Sequence, residues 1–227
     1  MTDYVSQLSA RVESERIMRA EQFDTRTVLR NVSWRTYVAL SEERDGSVPR
    51  MTYDEGTLEL MNPHRKHENL GRLIGRMVEA YSEIKGIEIL SVASTTVKLS
   101  SLEKGFEADE SYYVTQANDV LDREVLDFEL DAVPDLVIEI ELTSSAIKKM
   151  KLFAAMNVPE VWRHDGTSVV MYRLTNGQYQ SMPSSLELPG LTAVMLNETL
   201  RQRLTVGETT LIRNFRNSVP ASPFSGA

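Results

Sequence analysis

The chain of 227 residues is expected to fold as an α/β protein with a mixed central sheet and extra β-hairpins. Three observations predict it. One long amphipathic run, Lys66 to Ile84, repeats apolar residues at helical spacing: Leu70, Leu73, Ile74, Met77, Val78, Tyr81 and Ile84. Three strand-like segments follow it, Thr95–Leu99, Asp109–Val114 and Leu136–Leu142. A second helix and further strands come next, so the core order reads helix, three strands, helix, strand.

From the N-terminus, residues 1–30 are polar and charge-mixed, and Val5, Leu8, Val12, Ile17 and Met18 give only a weak helical spacing. A short mobile helical segment is expected there, followed by the main domain over residues 31–213. Ser33 is placed to cap a helix through Leu40. Arg50–Tyr53 and Thr57–Met61 flank Asp54-Glu55-Gly56, a hairpin signature. Gly71 and Gly75 line one edge of the apolar stripe of the long helix and would let it approach a sheet closely, and Lys85-Gly86 ends it. Gln116 to Asp131 is acidic and reads as a surface excursion. Thr143-Ser144-Ser145 can cap a helix reaching Met156. Val161-Trp162-Arg163, Val169–Leu174 and Gln178-Tyr179-Gln180 read as strands, the last two joined at Asn176-Gly177, a type I′ turn signal. A late helix spans Glu198 to Thr205, and residues 214–227, rich in Ser, Pro and Gly, are expected to be disordered.

Composition narrows the function classes. An apolar content of 41 % supports a sizeable core, and no apolar run reaches the ~18 residues of a membrane span. With no cysteine there are no disulfides and no thiolate metal sites. Met1-Thr2-Asp3-Tyr4 carries no basic region leading into an apolar stretch, so a cytoplasmic location is expected. The formal charge of −8 disfavours a non-specific nucleic-acid coat, yet acidic metal ligands add to that count and a local basic groove can coexist with it.

Two acids carry the chemistry. Asp109 and Glu139 each sit in a segment of strand-like apolar residues, where a carboxylate is costly unless a charge meets it. Strand alternation puts Val137, Glu139 and Glu141 on one face and Ile138, Ile140 and Leu142 on the other. The acidic face either meets solvent, as in an ordinary amphipathic strand, or lines a site. Hard oxygen ligands of this kind suit Mg²⁺ or Mn²⁺.

The blocks Tyr53-Asp54-Glu55-Gly56-Thr57-Leu58-Glu59-Leu60-Met61-Asn62-Pro63 with His67-Glu68, Ser94-Thr95-Thr96-Val97-Lys98, Glu107-Ala108-Asp109-Glu110-Ser111-Tyr112-Tyr113, Pro134-Asp135-Leu136-Val137-Ile138-Glu139-Ile140 and Asn157-Val158-Pro159-Glu160-Val161-Trp162-Arg163 resemble, in this order, the Uma-two family of restriction-type endonucleases. The resemblance spans about residues 32–182 and implies the PD-(D/E)xK nuclease superfamily, with a restriction-endonuclease-like core. It implies Asp109 as the first motif acid and Glu139 as the second, both metal ligands. The sequence departs from the pattern at Ala108, where proline is usual, and at Glu141, where the motif lysine belongs. Glu141 would bind metal or act through water. The resemblance points to Lys149, four positions before the aromatic Phe153, as the replacement lysine, and helical geometry puts residues 149, 153 and 156 on one face. Lys98 is the competitor. On the helix wheel His67 falls at the edge of the buried stripe while Glu68 points away, so His67 is the candidate to approach the metal and contact water or phosphate. Pro134-Asp135 is read as a decoy.

The expected function is therefore a Mg²⁺- or Mn²⁺-dependent endonuclease acting on phosphodiester bonds, with DNA as nucleic-acid partner and no membrane partner, working as a homodimer. The catalytic set is Asp109, Glu139, Lys149, Glu141 and His67. One alternative is a nuclease fold that lost its chemistry and serves as a binding module for nucleic acid or a protein, and a third reading is an RNA-directed nuclease, because the sequence does not separate DNA from RNA.

Overall fold

A computed structural model describes residues 24–220 except Ser47. It contains two sheets. The first is wholly antiparallel, in the order β1-β3-β2-β6-β5, from β1 (Thr25–Arg30), β2 (Arg50–Asp54), β3 (Thr57–Asn62), β5 (Thr96–Leu99) and β6 (Lys104–Glu107). The second is mixed, in the order β11-β10-β9-β8-β7-β4. Its strands are β4 (Leu90–Ser91), β7 (Glu110–Tyr113), β8 (Leu136–Ile140), β9 (Glu160–His164), β10 (Val169–Thr175) and β11 (Gln178–Met182). Its parallel pair is β8 and β9, and a parallel pair needs a crossover, here supplied by α3 (Lys149–Ala155). The other long helices are α1 (Trp34–Glu43), α2 (Arg65–Lys85), α4 (Ala193–Arg201) and α5 (Glu208–Ser218), and Ala117–Val120 adds a single helical turn.

Local chemistry accounts for these elements. Ser33 caps α1 by accepting from the Thr36 amide, and Gly86 closes α2 in the left-handed conformation. Both hairpin turns carry the positive φ values that a type I′ turn requires, at Glu55-Gly56 and at Asn176-Gly177.

The second sheet is covered on both faces. Ile138 and Ile140 pack with Leu70, Leu73 and Ile74 of α2, and with α4 and α5 through Leu196, Leu211 and Phe215. Val137 and Val161 face Phe153 of α3 and reach Val97 and Phe106 of the first sheet. Burial on both faces explains why all five residues of β8 are buried, including its one acid. Helix α2 comes close to the sheet at Gly75, where an added Cβ would lie 2.8 Å from the Tyr112 hydroxyl oxygen. Gly71 is less demanding, since a Cβ there would meet Asp109 Cβ at 3.6 Å, an ordinary contact.

Several sequence expectations are corrected. The helical spacing from Val5 to Met18 lies outside the described residues, but Thr25–Arg30, assigned to the same segment, is a strand paired with β3. Residues 214–218, expected to be disordered, complete α5 and bury Phe215, while residues 221–227 lie outside the described residues. Helix α3 begins at Lys149, not after Ser145, because residues 143–146 bond to the first sheet instead. The first of the three core strands belongs to the first sheet, beside β6, a strand the pattern does not reveal.

Candidate active site

The chain passes from the first sheet to the second between β6 and β7, and Ala108-Asp109 forms the bend. The Asp109 amide donates to Ile138 O at 3.2 Å, and its carboxylate Oδ2 accepts from the Ile140 amide at 2.6 Å. The side chain therefore caps the end of the β7–β8 pairing and is itself buried. Its other oxygen, Oδ1, lies 2.7 Å from His67 Nε2 and is paired with the Arg50 guanidinium.

His67 is fully buried in the first turns of α2, and its Nδ1 lies 2.9 Å from Asp24 Oδ2. Asp24 also accepts from the His64 amide at 2.8 Å. Burial pushes the Asp24 carboxyl up, but the His67 bond and the His64 amide outweigh it and hold the group below the ordinary carboxylate range. Arg50 bonds Glu68 as well, at 2.9 Å, and Glu68 is half exposed, pointing away from the core as the helix wheel requires. Together Arg50, His67, Glu68, Arg72, Asp109 and Glu110 line a cleft. Burial raises the Glu110 carboxyl to about 7, opposed by Arg72 and reinforced by Glu79.

Glu139 lies on the other side of β8, facing α3. Its Oε1 is paired with the Lys149 ammonium, and both side chains are buried. Its Oε2 is buried with no hydrogen-bond partner among the described residues. The cleft here is lined by Glu139, Glu141, Ser145, Lys148, Lys149 and Arg163. Glu141 is paired with Arg163 at 2.5 Å, and that contact holds the guanidinium above its ordinary value despite partial burial.

The sequence-predicted residues thus fall into two groups. His67 meets Asp109, and Lys149 meets Glu139, while Glu141 is engaged by Arg163 at the edge of the second group. The groups join through one peptide, because the amide that binds Asp109 is that of the Glu139–Ile140 bond. Lys98 is elsewhere, on the first sheet, paired with Glu42 at 2.8 Å. Asp135 accepts from the Val114 and Gln116 amides, fastening the turn after β7. Sequence reasoning missed Asp24 and Arg50. Neither stands in a motif, and each reaches the site only through the fold.

Could these residues hold a divalent cation? Among the described residues, no three His, Cys, Asp or Glu side chains are arranged to hold a metal by themselves. Mg²⁺ does not need three, since it takes one or two carboxylates and completes its shell with water and substrate phosphate. The orphaned, buried Glu139 Oε2 fits that demand, because a carboxylate oxygen without a donor is costly unless a cation meets it.

The Uma2 family, described as "Putative restriction endonuclease", matches residues 34–207. The chain belongs to the Uma2 family. The matched span holds His67, Asp109, Glu139, Glu141 and Lys149, and it excludes Asp24. Among solved structures, this Uma2 protein resembles a "putative nuclease belonging to DUF820" from Anabaena variabilis ATCC 29413. The two share 15 % identity over 74 % of this chain and 98 % of that one, with a TM-score of 0.51. At that identity the likeness shows fold alone, a restriction-endonuclease-like α/β architecture. No curated protein matches the chain. Among the described residues, no helix is long and apolar enough to cross a membrane.

Proposed function

We propose that this Uma2 protein is an endonuclease that hydrolyses phosphodiester bonds in DNA with Mg²⁺ or Mn²⁺. The observation that carries the reading is the buried Glu139, with one oxygen on the Lys149 ammonium and the other without a hydrogen-bond partner among the described residues, one peptide away from the Asp109 carboxylate. Glu139 Oε2 and Asp109 would hold the ion. When bound, such an ion lowers the pKa of its water and neutralises charge on the scissile phosphate.

The remaining roles belong to the chain's own groups. The Lys149 ammonium is a fixed positive charge beside Glu139, positioned to stabilise negative charge on the phosphoryl oxygens as it develops. It takes the part that Glu141, in the motif lysine's place, cannot take. His67, braced by Asp24, orients the Asp109 carboxylate. Glu141 acts at the rim through water. DNA is the substrate favoured by the family description. A single site of this kind cuts one strand, and two sites related by a two-fold axis cut both, so we propose a homodimer.

One observation favours a second reading, the inactive binding module. Both oxygens of Asp109 are already engaged, by His67 and Arg50 on one side and by the Ile140 amide on the other. Calorimetry with Mn²⁺ and Mg²⁺ separates the two readings. The nuclease reading expects binding heat in the native protein that disappears in Glu139→Gln. No heat with either ion, together with retained DNA binding, would establish the module.

A further inference from the structure

Glu59 lies on β3, in the first sheet, and is 1 % exposed. A buried carboxylate must be paired, and the groups that pair it reveal what it holds. The carboxylate takes the Ala146 amide at 2.7 Å, the Ser145 hydroxyl at 2.9 Å and the Arg26 guanidinium. Arg26, on β1, donates in turn from Nε to Thr143 Oγ1 at 3.0 Å. Thr143, Ser145 and Ala146 all belong to the connection from Glu139's strand to Lys149's helix. The first sheet therefore grips this connection at three points.

From that grip the geometry runs directly to the lysine. Ser145 Oγ accepts from the Ile147 amide at 3.1 Å, and the Lys149 amide donates to Ile147 O at 2.9 Å. Helix α3 has only seven residues, and no side chain caps its start. A helix this short has little stability of its own, so the position of its first residue depends on what fixes the preceding loop.

We propose that Glu59, with Arg26 as its counter-ion, is a positioning residue for Lys149, holding the β8–α3 connection so that the ammonium stays on Glu139. The catalytic consequence rests on the nuclease reading, whereas the placement of Lys149 does not.

Amine-reactivity footprinting of the full-length protein tests the placement. Reductive methylation followed by mass spectrometry compares Lys149 with its exposed neighbours Lys148 and Lys151 and with Lys98. In the native protein Lys149 should react slower than Lys148 and Lys151 by on the order of tenfold, as protected groups do. Glu59→Gln should erase most of that difference while Lys98 is unchanged. Ser145→Ala removes a loop-side contact without opening the first sheet, and should weaken the protection if Glu59→Gln does not fold. Protection of Lys149 unaltered in folded Glu59→Gln and in Ser145→Ala would overturn the proposal. Single-turnover cleavage of DNA supplies the second arm. Its rate constant should fall in Ser145→Ala with DNA affinity unchanged. Loss of protection with an undiminished rate would overturn the positioning role. A native protein that does not cut DNA, yet loses Lys149 protection in both variants, would sink the nuclease reading and leave the placement standing.

Discussion

His67 Nε2 lies 2.7 Å from Asp109 Oδ1, and this buried contact ties the long helix to the bend between the sheets. The other ring nitrogen faces Asp24 at 2.9 Å, so one imidazole bridges two buried carboxylates. Both lose a partner if the ring is removed. Asp109 keeps Arg50 and the Ile140 amide and Asp24 keeps the His64 amide, so His67→Ala should lower the unfolding free energy by about 1–3 kcal/mol, the cost of leaving buried polar atoms short of a partner. Urea denaturation measures it, and a loss below about 1 kcal/mol, typical of an exposed pair, would show that the bridge holds little.

The two glycines of α2 should respond in opposite directions. At Gly75 a methyl group would lie 2.8 Å from the Tyr112 hydroxyl and 3.1 Å from Glu110 Cδ, so overpacking should cost about 1–3 kcal/mol in Gly75→Ala. At Gly71 the new contacts are ordinary, and alanine should be neutral or stabilise by up to about 1 kcal/mol through helix propensity. Thermal melts of the two variants would contradict this if their order were reversed.

Acid should weaken the fold in part through His164. Burial holds its imidazole below the ordinary value of 6.5, with Asp165 opposing that shift. The folded state therefore prefers the neutral ring, whose Nδ1 accepts from the Gly166 amide at 2.9 Å. That preference contributes its full stability above the unfolded value of about 6.5 and is lost as pH falls from there through the lower folded value. Denaturation curves at pH 7.5, 6 and 5 should show a shallower decline in His164→Gln than in the native protein. Equal slopes would remove His164 from the acid response.

Lys149 and Lys98 offer a matched pair. Lys149→Met keeps most of the stem's packing and removes the charge beside Glu139, so single-turnover cleavage should slow by about 10²-fold or more. Lys98→Met breaks a surface pair with Glu42 and a bond to the Ser41 hydroxyl, both away from the site, and should cut at the native rate. Cleavage lost in Lys98→Met and kept in Lys149→Met would move the basic residue to the first sheet.

Much of the fold was legible because its signals are local. The stripe of α2, the Ser33 cap and the two glycine turns each lie within a few residues, and each forms as read. What escaped depends on distant partners. Thr25–Arg30 becomes a strand only against β3, and Lys104–Glu107 is a four-residue strand with a glycine inside it. Thr143–Ser145 resembles a helix cap, but Glu59 and Arg26 take up its polar groups first. In the site, the helix wheel puts His67 at the edge of the buried stripe, toward the expected metal site, and the structure sets its ring against Asp109. Asp24 and Arg50 did not follow, because they come from separate segments and meet the ring only after both sheets are assembled.

Glu139, as proposed, belongs to a metal-dependent phosphodiesterase site. Cleavage of supercoiled plasmid DNA by native protein and by Glu139→Gln, each with and without Mg²⁺ or Mn²⁺, tests it most directly. Nicked and linear products are expected from native protein only when the ion is present, and none from Glu139→Gln under any condition. Cleavage by Glu139→Gln at the native rate, or by native protein in the presence of a chelator, would contradict it.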